Sequence, residues 1–411
     1  MSLDTFLSRT IRSGEFLITD VAGGTHRYGV ADPARPPVHA RVRDGKVRRD
    51  IMRRPVLGTA EAYMDGRFTI DGDDILGLLD LVRANTAYED GGEAGLLIGE
   101  HPLIARMLRA NSLRRARRNV AHHYDIGNAL YDLFLDADRQ YSCAYFARGN
   151  TDLDRAQADK KAHIAAKLAL RPGLRVLDIG CGWGGMALYL ARVANVEVLG
   201  ITLSEEQLAV ARARAEEAGL ADRVRFELID YRHVDGTFDR IVSVGMFEHV
   251  GTPHYRTFFA KCRDLLVREG VMLLHTIGRM GPPGLTDGFT ARYIFPGGYA
   301  PALSEIMGPS ERERLMLADC EVLRLHYALT LEHWYARVGA AKAEIVAMYD
   351  ERFYRMWRFY LAGSITAFRH SDMAVYQLQY VRDRHALPIT RDYMAEAEAG
   401  LIAGVSAASS A

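Results

Sequence analysis

Four polar side chains from separate segments have the chemistry to move a proton or to hold a small anion: Cys143, Glu248, His275 and Tyr327. Glu248 and His275 stand at the ends of apolar runs that predict strands, and the carboxyl ends of parallel strands meet at one edge of a sheet. A single Glu or His there is by default a structural hydrogen-bonding group. The set of four, beside apolar and aromatic residues, favours a functional pocket instead.

A glycine-rich turn indicates the ligand of that pocket. Arg175–Ile179 predicts a strand and residues 186–192 predict a helix, and the glycines between them let the backbone approach a nucleotide-like group closely. These glycines are Gly180, Gly182, Gly184 and Gly185. Asp178 precedes them, as is usual in methyltransferases, and the next strand has no acid directly at its tip, where a dinucleotide site would place one. The pattern favours S-adenosylmethionine, with a nicotinamide cofactor as a distant second.

Further apolar runs, separated by helical patterns, predict the rest of the sheet. They cover residues 196–201, 224–229, 238–244, 271–276, 321–327 and 374–380. This alternation indicates an α/β fold with a doubly wound, mostly parallel sheet, as in class I S-adenosylmethionine-dependent methyltransferases. Asp230 and Tyr231 follow the third strand, where an acid can accept from the amino group of adenine and a ring can cover its face.

The first hundred residues predict a smaller α+β domain. A hairpin is expected from Phe16 to Val30, shorter strands on both sides of an Asp44-Gly45 turn, and helices over 58–66 and 71–85. No catalytic residue stands out there, so we expect this domain to position lipid or to assemble the protein. The expected boundaries are 1–100 for this domain, 101–118 for a linker, 119–400 for the catalytic domain and 401–411 for a tail.

The linker segment is strongly basic. Residues 101–120 contain no acid, and apolar residues lie among the arginines at spacings that a helix could gather on one side. The arginines are Arg106, Arg109, Arg114, Arg115, Arg117 and Arg118. Such a segment can lie on an anionic membrane surface, and it can equally be a solvated linker helix.

The composition excludes several classes of protein. Lys plus Arg number 52 and Asp plus Glu number 52, so charge gives no reason to expect nucleic acid as a partner. No apolar run reaches the roughly 20 residues of a membrane span, and the amino end lacks the apolar core of a secretion signal, which predicts a cytoplasmic protein. The cysteines form no CxxC pair, so we expect no metal site, and Cys262 and Cys320 are expected to be small buried residues.

Taken together, six motifs resemble the cyclopropane fatty acid synthase family, which includes the mycolic acid cyclopropane synthases. The motifs are His122-His-Tyr-Asp-Ile-Gly-Asn128, Tyr141-Ser-Cys-Ala-Tyr-Phe146, Val176-Leu-Asp-Ile-Gly-Cys-Gly-Trp-Gly184, Gly200-Ile-Thr-Leu-Ser204, Met246-Phe-Glu-His-Val-Gly251 and His326-Tyr327. The resemblance covers the chain from Asn119 to the last predicted strand. The amino-terminal domain resembles, more weakly, that of the bacterial phospholipid-modifying members, and mycolic acid enzymes lack it.

The resemblance implies where two small molecules bind. The family's S-adenosylmethionine contacts fall on Tyr141, Ser142, Gly180, Gly182, Thr202, Gln207, Tyr231 and Arg232. The sequence pattern adds Asp178 and Gly184 at the glycine turn and Asp230 after the third strand. The family's bicarbonate ligands fall on Cys143, Glu248, His275, Tyr327 and a backbone group of Ile277. Without the resemblance, Glu248 itself would be the expected base, and Cys143 as a covalent nucleophile is disfavoured because no acyl-transfer triad is evident.

The implied reaction is methylene transfer to the cis double bond of an unsaturated phospholipid acyl chain, through a carbocation deprotonated by bicarbonate. A related lipid methyltransferase giving a methyl-branched or methylene product is the alternative, and a small-molecule methyltransferase or a lipid-binding module without turnover are further ones. The resemblance also implies peripheral association with the inner face of the membrane and, by analogy only, a homodimer.

Overall fold

The computed structural model describes residues 2–91 and 127–408. Its strands are β1 Gly14–Thr19, β2 Thr25–Val30, β3 Val38–Val42, β4 Phe68–Ile70, β5 Arg175–Ile179, β6 Glu197–Thr202, β7 Val224–Leu228, β8 Phe238–Val244, β9 Leu266–Arg279, β10 Met316–Val322 and β11 Met373–Val381. Its α-helices are α1 Leu3–Thr10, α2 Val47–Arg53, α3 Pro55–Met64, α4 Ile75–Ala84, α5 Asn128–Asp132, α6 Leu153–Lys167, α7 Gly185–Ala194, α8 Glu205–Glu217, α9 Tyr255–Leu265, α10 Leu303–Arg312, α11 His326–Ala340, α12 Lys342–Met348, α13 Glu351–His370 and α14 Asp392–Ala408.

The larger sheet has seven strands in the order β10-β11-β9-β8-β5-β6-β7. The strands from β5 to β9 pair in parallel, whereas β10 and β11 pair antiparallel at the edge. The chain runs outward from β5 through β6 to β7, and then returns to β8 and β9 on the other side. The doubly wound, mostly parallel sheet is therefore confirmed, with its change of direction between β5 and β8, where such sheets bind ligands.

Successive residues of β5 face opposite sides of the sheet and enter two separate cores. Val176 lies in a cluster with Leu190 of α7. Its neighbour Leu177 lies in the other cluster, with Ile241 and Phe258 of α9. Both faces of the sheet are thus covered by helices, which explains why the central strands read as nearly continuous apolar runs.

Side-chain caps fix the start of the helices that surround the sheet edge. The carboxylate of Asp152 accepts from the Arg155 N–H at 2.8 Å at the start of α6. Ser204 accepts from the Gln207 N–H at 3.3 Å and opens α8. Each cap satisfies a backbone donor that the first helical turn leaves without an intrahelical partner.

The chain forms two compact units, which are named here by their sheets. The four-stranded unit comprises the described residues within 1–105, 285–296 and 328–373, and its strand order is β2-β1-β3-β4. The seven-stranded unit comprises those within 106–284, 297–327 and 374–411. The amino-terminal segment thus shares its compact unit with α12, α13 and most of α11, which come from much later in the sequence.

Three local predictions differ from the structure. The strand expected over 321–327 ends at Val322, and α11 begins at His326, because the register with β11 stops at Val322 and Leu325 is 56% exposed. After the Asp44-Gly45 turn the chain forms α2 instead of a second strand. Residues 401–408, expected in a tail, continue α14.

The basic segment 101–118 and the motif residues His122 to Asp125 lie outside the described residues. Within the part of the chain that is described, no helix has both the length and the hydropathy required to cross a bilayer. Cys262 is buried as expected, but Cys320 is exposed, because it lies on the edge strand β10.

Candidate active site

The glycine turn after β5 forms an open cradle at the carboxyl edge of the sheet. Gly180, Gly182 and Gly184 have φ values of +85°, +54° and +84°. The N–H groups of Gly180 and Cys181 donate to the Ile201 carbonyl at 2.9 and 3.0 Å, which fixes the turn to β6. A Cβ atom at Gly182 would meet no atom within 4 Å, so the backbone there faces open space that a ligand can enter.

Asp178, the residue before the last one of β5, has a fully buried carboxyl group. Its Oδ2 atom has no hydrogen-bond partner among the described residues. Burial raises the pKa of Asp178 to about 7. A buried oxygen without a partner costs free energy unless a ligand satisfies it, so the position suits a polar group of S-adenosylmethionine.

At the end of β6, the two residues predicted to contact the cofactor bind each other. Thr202 Oγ1 donates to Gln207 Oε1 at 3.0 Å, and the Ser204 N–H donates to Thr202 Oγ1 at 3.1 Å. Both Thr202 and Gln207 are buried. Within residues 2–91 and 127–408 the Gln207 amide NH₂ has no hydrogen-bond acceptor, so it can donate to a ligand.

The acid after β7 is already engaged by a neighbour. Asp230 receives the Arg232 Nε–H and Nη2–H groups, both at 2.7 Å. Burial alone would raise the pKa of Asp230, but these bonds to Arg232 outweigh it and the pKa is lowered. Tyr231 packs its ring against Phe258 with 5.3 Å between centroids, so only part of it is available to an adenine ring.

Tyr141 and Ser142 lie in a loop that a buried lysine holds in place. Lys160 of α6 is 0% exposed and donates to Gln140 Oε1 at 2.9 Å and to Ser142 Oγ at 2.8 Å. Burial lowers the pKa of Lys160 to about 8. The Tyr141 ring contacts Tyr131 edge-on, at 5.1 Å between centroids.

Lys160 is a site residue that the sequence analysis missed. Its helix reads as polar, with Lys160 and Lys161 adjacent, and only the structure distinguishes the buried lysine from its partly buried neighbour. One signal was available: a lysine at helical spacing from apolar residues that must face a core.

Glu248 and Ile277 meet where β8 and β9 end. The Ile277 N–H donates to Glu248 Oε1 at 2.6 Å, and the Tyr299 N–H donates to the Glu248 carbonyl at 2.9 Å. Glu248 Oε2 is buried and has no partner among the described residues. Burial raises the pKa of Glu248 to about 7 despite the opposing effect of the Ile277 amide. The predicted backbone group of Ile277 therefore holds Glu248, and the Oε2 atom remains available.

His275 stands two residues before Ile277 and is 2% exposed. Its Nδ1 atom lies 3.2 Å from Gln377 Nε2 of β11. Burial, followed by the positive charge of Lys160, lowers the pKa of His275 well below its ordinary value. Cys143 is also buried. Its electrostatic interaction with Lys160 raises the pKa of Lys160, against the larger effect of burial. Lys160 thus lies close enough to both His275 and Cys143 for their charges to interact.

Tyr327 reaches this region from the first turn of α11. Its neighbour His326 accepts the Phe146 N–H at Nδ1, at 2.9 Å, which fixes the start of α11 beside the segment that carries Cys143. Tyr327 is 7% exposed. The bond between His326 and Phe146 therefore brings the start of α11 to the segment that carries Cys143, and Tyr327 comes from a helix instead of a strand.

The combination suits a small anion. It offers a carboxyl group that is half protonated near neutral pH, a neutral imidazole and a tyrosine hydroxyl, all in a site shielded from water. Protonated or neutral donors bind an anion without placing an unpaired charge in the interior. Glu248 Oε2 lacks a hydrogen-bond partner in the described chain, so it is the atom that a bound anion would most directly satisfy.

The chain is similar to known lipid-modifying enzymes. Residues 111–378 match the family model of mycolic acid cyclopropane synthetase. A probable fatty acid methyltransferase of Pseudomonas putida is 42% identical over 351 residues, which cover 82% of this chain and 86% of the relative. The cyclopropane-fatty-acyl-phospholipid synthase of Escherichia coli K12 is 39% identical over 359 residues, which cover 87% and 91%.

A solved structure resembles the chain as well. The crystal structure of mycolic acid cyclopropane synthase CmaA1 complexed with SAH and CTAB has a TM-score of 0.62 and 33% identity, and covers 66% of this chain and 99% of that one. The seven-stranded unit thus has the fold of S-adenosylmethionine-dependent methyltransferases.

The open space at Gly182 generates a prediction with an internal control. Gly182→Val should weaken the binding of S-adenosylhomocysteine by more than about tenfold in Kd, because the new side chain enters the cradle. Gly219→Val is the matched control, since Gly219 also has a positive φ and open space, but follows α8. Both changes should cost about 1–2 kcal/mol of stability. Calorimetric titration giving equal Kd values for the two variants would contradict the cradle assignment.

Proposed function

The chain belongs to the mycolic acid cyclopropane synthetase family, and on that premise we propose that it adds a methylene group from S-adenosylmethionine across the cis double bond of an unsaturated phospholipid acyl chain. In the net reaction the olefin gains CH₂ as a cyclopropane ring, while S-adenosylhomocysteine and one proton are released. Bound S-adenosylmethionine supplies the electrophilic methyl group, and bound bicarbonate supplies the oxygen base.

The observation that supports this most strongly is the burial of Glu248 and His275, with Glu248 bonded to the Ile277 N–H two residues after His275. The Ile277 amide fixes one oxygen of Glu248, and the other is buried without a partner in the described residues. His275 is neutral and buried. Together they can hold an oxyanion within reach of a methyl group while water is excluded, as a carbocation requires.

These residues act on the proton and on its acceptor. In this proposal Glu248 Oε2 and His275 orient the base and Tyr327 donates to it. Cys143, whose Sγ donates to the Ala144 carbonyl at 3.3 Å, would exchange that bond for one to the base. A proton leaves the added methyl carbon to this base, and the electron pair of that C–H bond closes the ring. Aromatic rings near the edge, such as Tyr141 and Tyr131, stabilise positive charge on carbon.

A second product is favoured by a specific comparison. The Pseudomonas putida relative is a probable fatty acid methyltransferase. If the cation loses a proton from the next carbon of the chain, the product is a methyl-branched olefin. If a hydride first shifts from the methylated carbon to the cation, loss of a proton from the methyl group gives a methylene chain.

Mass spectrometry of turnover on dioleoyl phospholipid vesicles tests the proposal. We expect S-adenosylhomocysteine and a lipid that has gained CH₂ to form in equal amounts. Derivatisation of the remaining double bonds should detect one fewer in this product than in the substrate. Retention of that double bond in the product identifies the methylene alternative. Alkylation of a nitrogen or oxygen acceptor, with no consumption of the cofactor on olefinic lipid, contradicts the proposal.

The ionisation of Glu248 generates a pH prediction. Its pKa is raised to about 7, so the neutral acid that donates to bicarbonate exists below this pH and the repelling carboxylate exists above it. The bicarbonate concentration for half-maximal turnover should therefore rise as pH increases through about 7. Glu248→Gln keeps a neutral donor and should lack the rise, whereas an equal rise in both proteins would remove Glu248 from anion binding.

We also propose that the four-stranded unit positions lipid. It encloses an apolar cavity of about 140 Å³, whose lining includes Phe16, Leu78 and Phe359. Arg83 contributes a charged group to the lining and donates to Ser371 at 3.1 Å. An acyl chain matches the apolar walls, and its polar end matches Arg83.

Gly363 of α13 lines this cavity, and a Cβ atom there would meet no atom within 4 Å. Gly363→Leu should fill the space, stabilise the helix by up to about 1 kcal/mol and raise KM for phospholipid vesicles several-fold. Gly400→Leu, which also points into open space on a helix, is the matched control. Vesicle titrations with the same KM for both variants would exclude the cavity from lipid binding.

The proposal includes a cytoplasmic location at the inner face of the membrane, where the phospholipid substrate lies. The basic segment 101–118 is a candidate for the contact with anionic lipid, and the homodimer is proposed by analogy.

A further inference from the structure

A row of buried polar side chains leads to His275 from helix α6. Lys167 Nζ donates to Gln377 Oε1 at 2.8 Å, and Gln377 Nε2 lies 3.2 Å from His275 Nδ1. The three side chains are 1%, 0% and 2% exposed, respectively. The row therefore has no access to bulk water that could replace one of its bonds.

The first bond determines the direction of the next. An ammonium group has only donors, so the amide oxygen of Gln377 must face Lys167. The amide NH₂ then faces His275, and it can only donate. His275 Nδ1 must accept this bond and therefore carries no hydrogen. In a neutral imidazole the hydrogen then resides on Nε2.

Burial and, to a smaller extent, the surrounding charges keep His275 neutral. Burial lowers its pKa most, and the positive charges of Lys160, Lys167 and His163 lower it further, against an opposing effect from Glu321. His163 and Lys167 both contact Glu321, so the Glu321 carboxylate is already neutralised by these two partners. His163 also bonds Glu398 at 2.9 Å.

We propose that Lys167 and Gln377 are positioning residues that fix His275 as its Nε2–H tautomer. Resting on the proposed function, this assigns the Nε2–H group as a donor to the bound oxyanion. The other tautomer would direct a lone pair at the anion and repel it. The same logic of an outer hydrogen bond selecting a histidine tautomer operates in many metal and acid–base sites.

Nitrogen-15 NMR of the full chain tests the tautomer without any activity measurement. In protein labelled at histidine, and with His275 assigned from the spectrum of His275→Gln, we expect a protonated Nε2 and an unprotonated Nδ1. The shifts should stay constant across neutral pH. A hydrogen on Nδ1, or a charged ring, overturns the inference.

Gln377→Glu tests the functional consequence. A carboxylate at this position accepts from Nδ1–H and raises the pKa of His275. Below the raised pKa the cation keeps an Nε2–H donor, whereas above it the neutral ring carries its hydrogen on Nδ1 and loses that donor. At saturating bicarbonate, the ratio of variant to parent kcat should fall with rising pH by roughly 10²-fold, the loss typical of one removed oxyanion donor.

Gln379→Glu is the matched control. Gln379 lies two residues along β11, is 1% exposed and donates to the Lys167 carbonyl and to Tyr393 Oη, so it has no bond to His275. Its variant also buries a carboxylate on the same face of the strand, and its kcat ratio should not fall with pH. A fall in both variants, or in neither, overturns the inference.

The two proposals fail in different ways. If olefinic lipid is not consumed but His275 is the Nε2–H tautomer, the proposed reaction is wrong and the positioning of His275 stands. If lipid turns over and the hydrogen resides on Nδ1, the reaction stands and the role of Lys167 and Gln377 is wrong.

Discussion

Desolvation at the carboxyl edge of the seven-stranded sheet controls the chemistry of this protein. Asp178, Glu248 and His275 are buried there, and burial is the largest influence on the pKa of each. Loss of water favours the neutral form of a carboxyl group and of an imidazole alike. Asp178 and Glu248 are therefore only partly ionised near neutral pH, and His275 is neutral.

Helix α6 supplies the polar support of that edge. Lys160, His163 and Lys167 are spaced by three and four residues, so they lie along one side of the helix, and all are buried. Each is held by several partners: Lys160 by the 140–142 loop, His163 by two carboxylates, and Lys167 by β10 and β11. A buried cation without partners would cost several kcal/mol, so this helix both requires and orients the loops and strands around it.

The two compact units carry different kinds of side chains. In the proposed function, the seven-stranded unit provides the polar groups for the cofactor and the base, and the four-stranded unit, which holds an apolar cavity, receives the acyl chain. The late helices α12 and α13 share the second unit with the amino-terminal strands.

The amino-acid sequence determined the parallel sheet, the glycine turn and the strand ends at which Glu248 and His275 lie. Apolar runs and glycines are local signals, and the carboxyl ends of adjacent parallel strands converge wherever such a sheet forms, which placed Glu248 and His275 together. The tertiary structure decided the rest. It placed Tyr327 on a helix, buried Lys160 and Lys167 in a helix of polar composition, and brought Gln377 to His275 across 102 positions of sequence. Burial and the direction of a hydrogen bond depend on what packs against a residue from distant segments, so no local pattern specifies them.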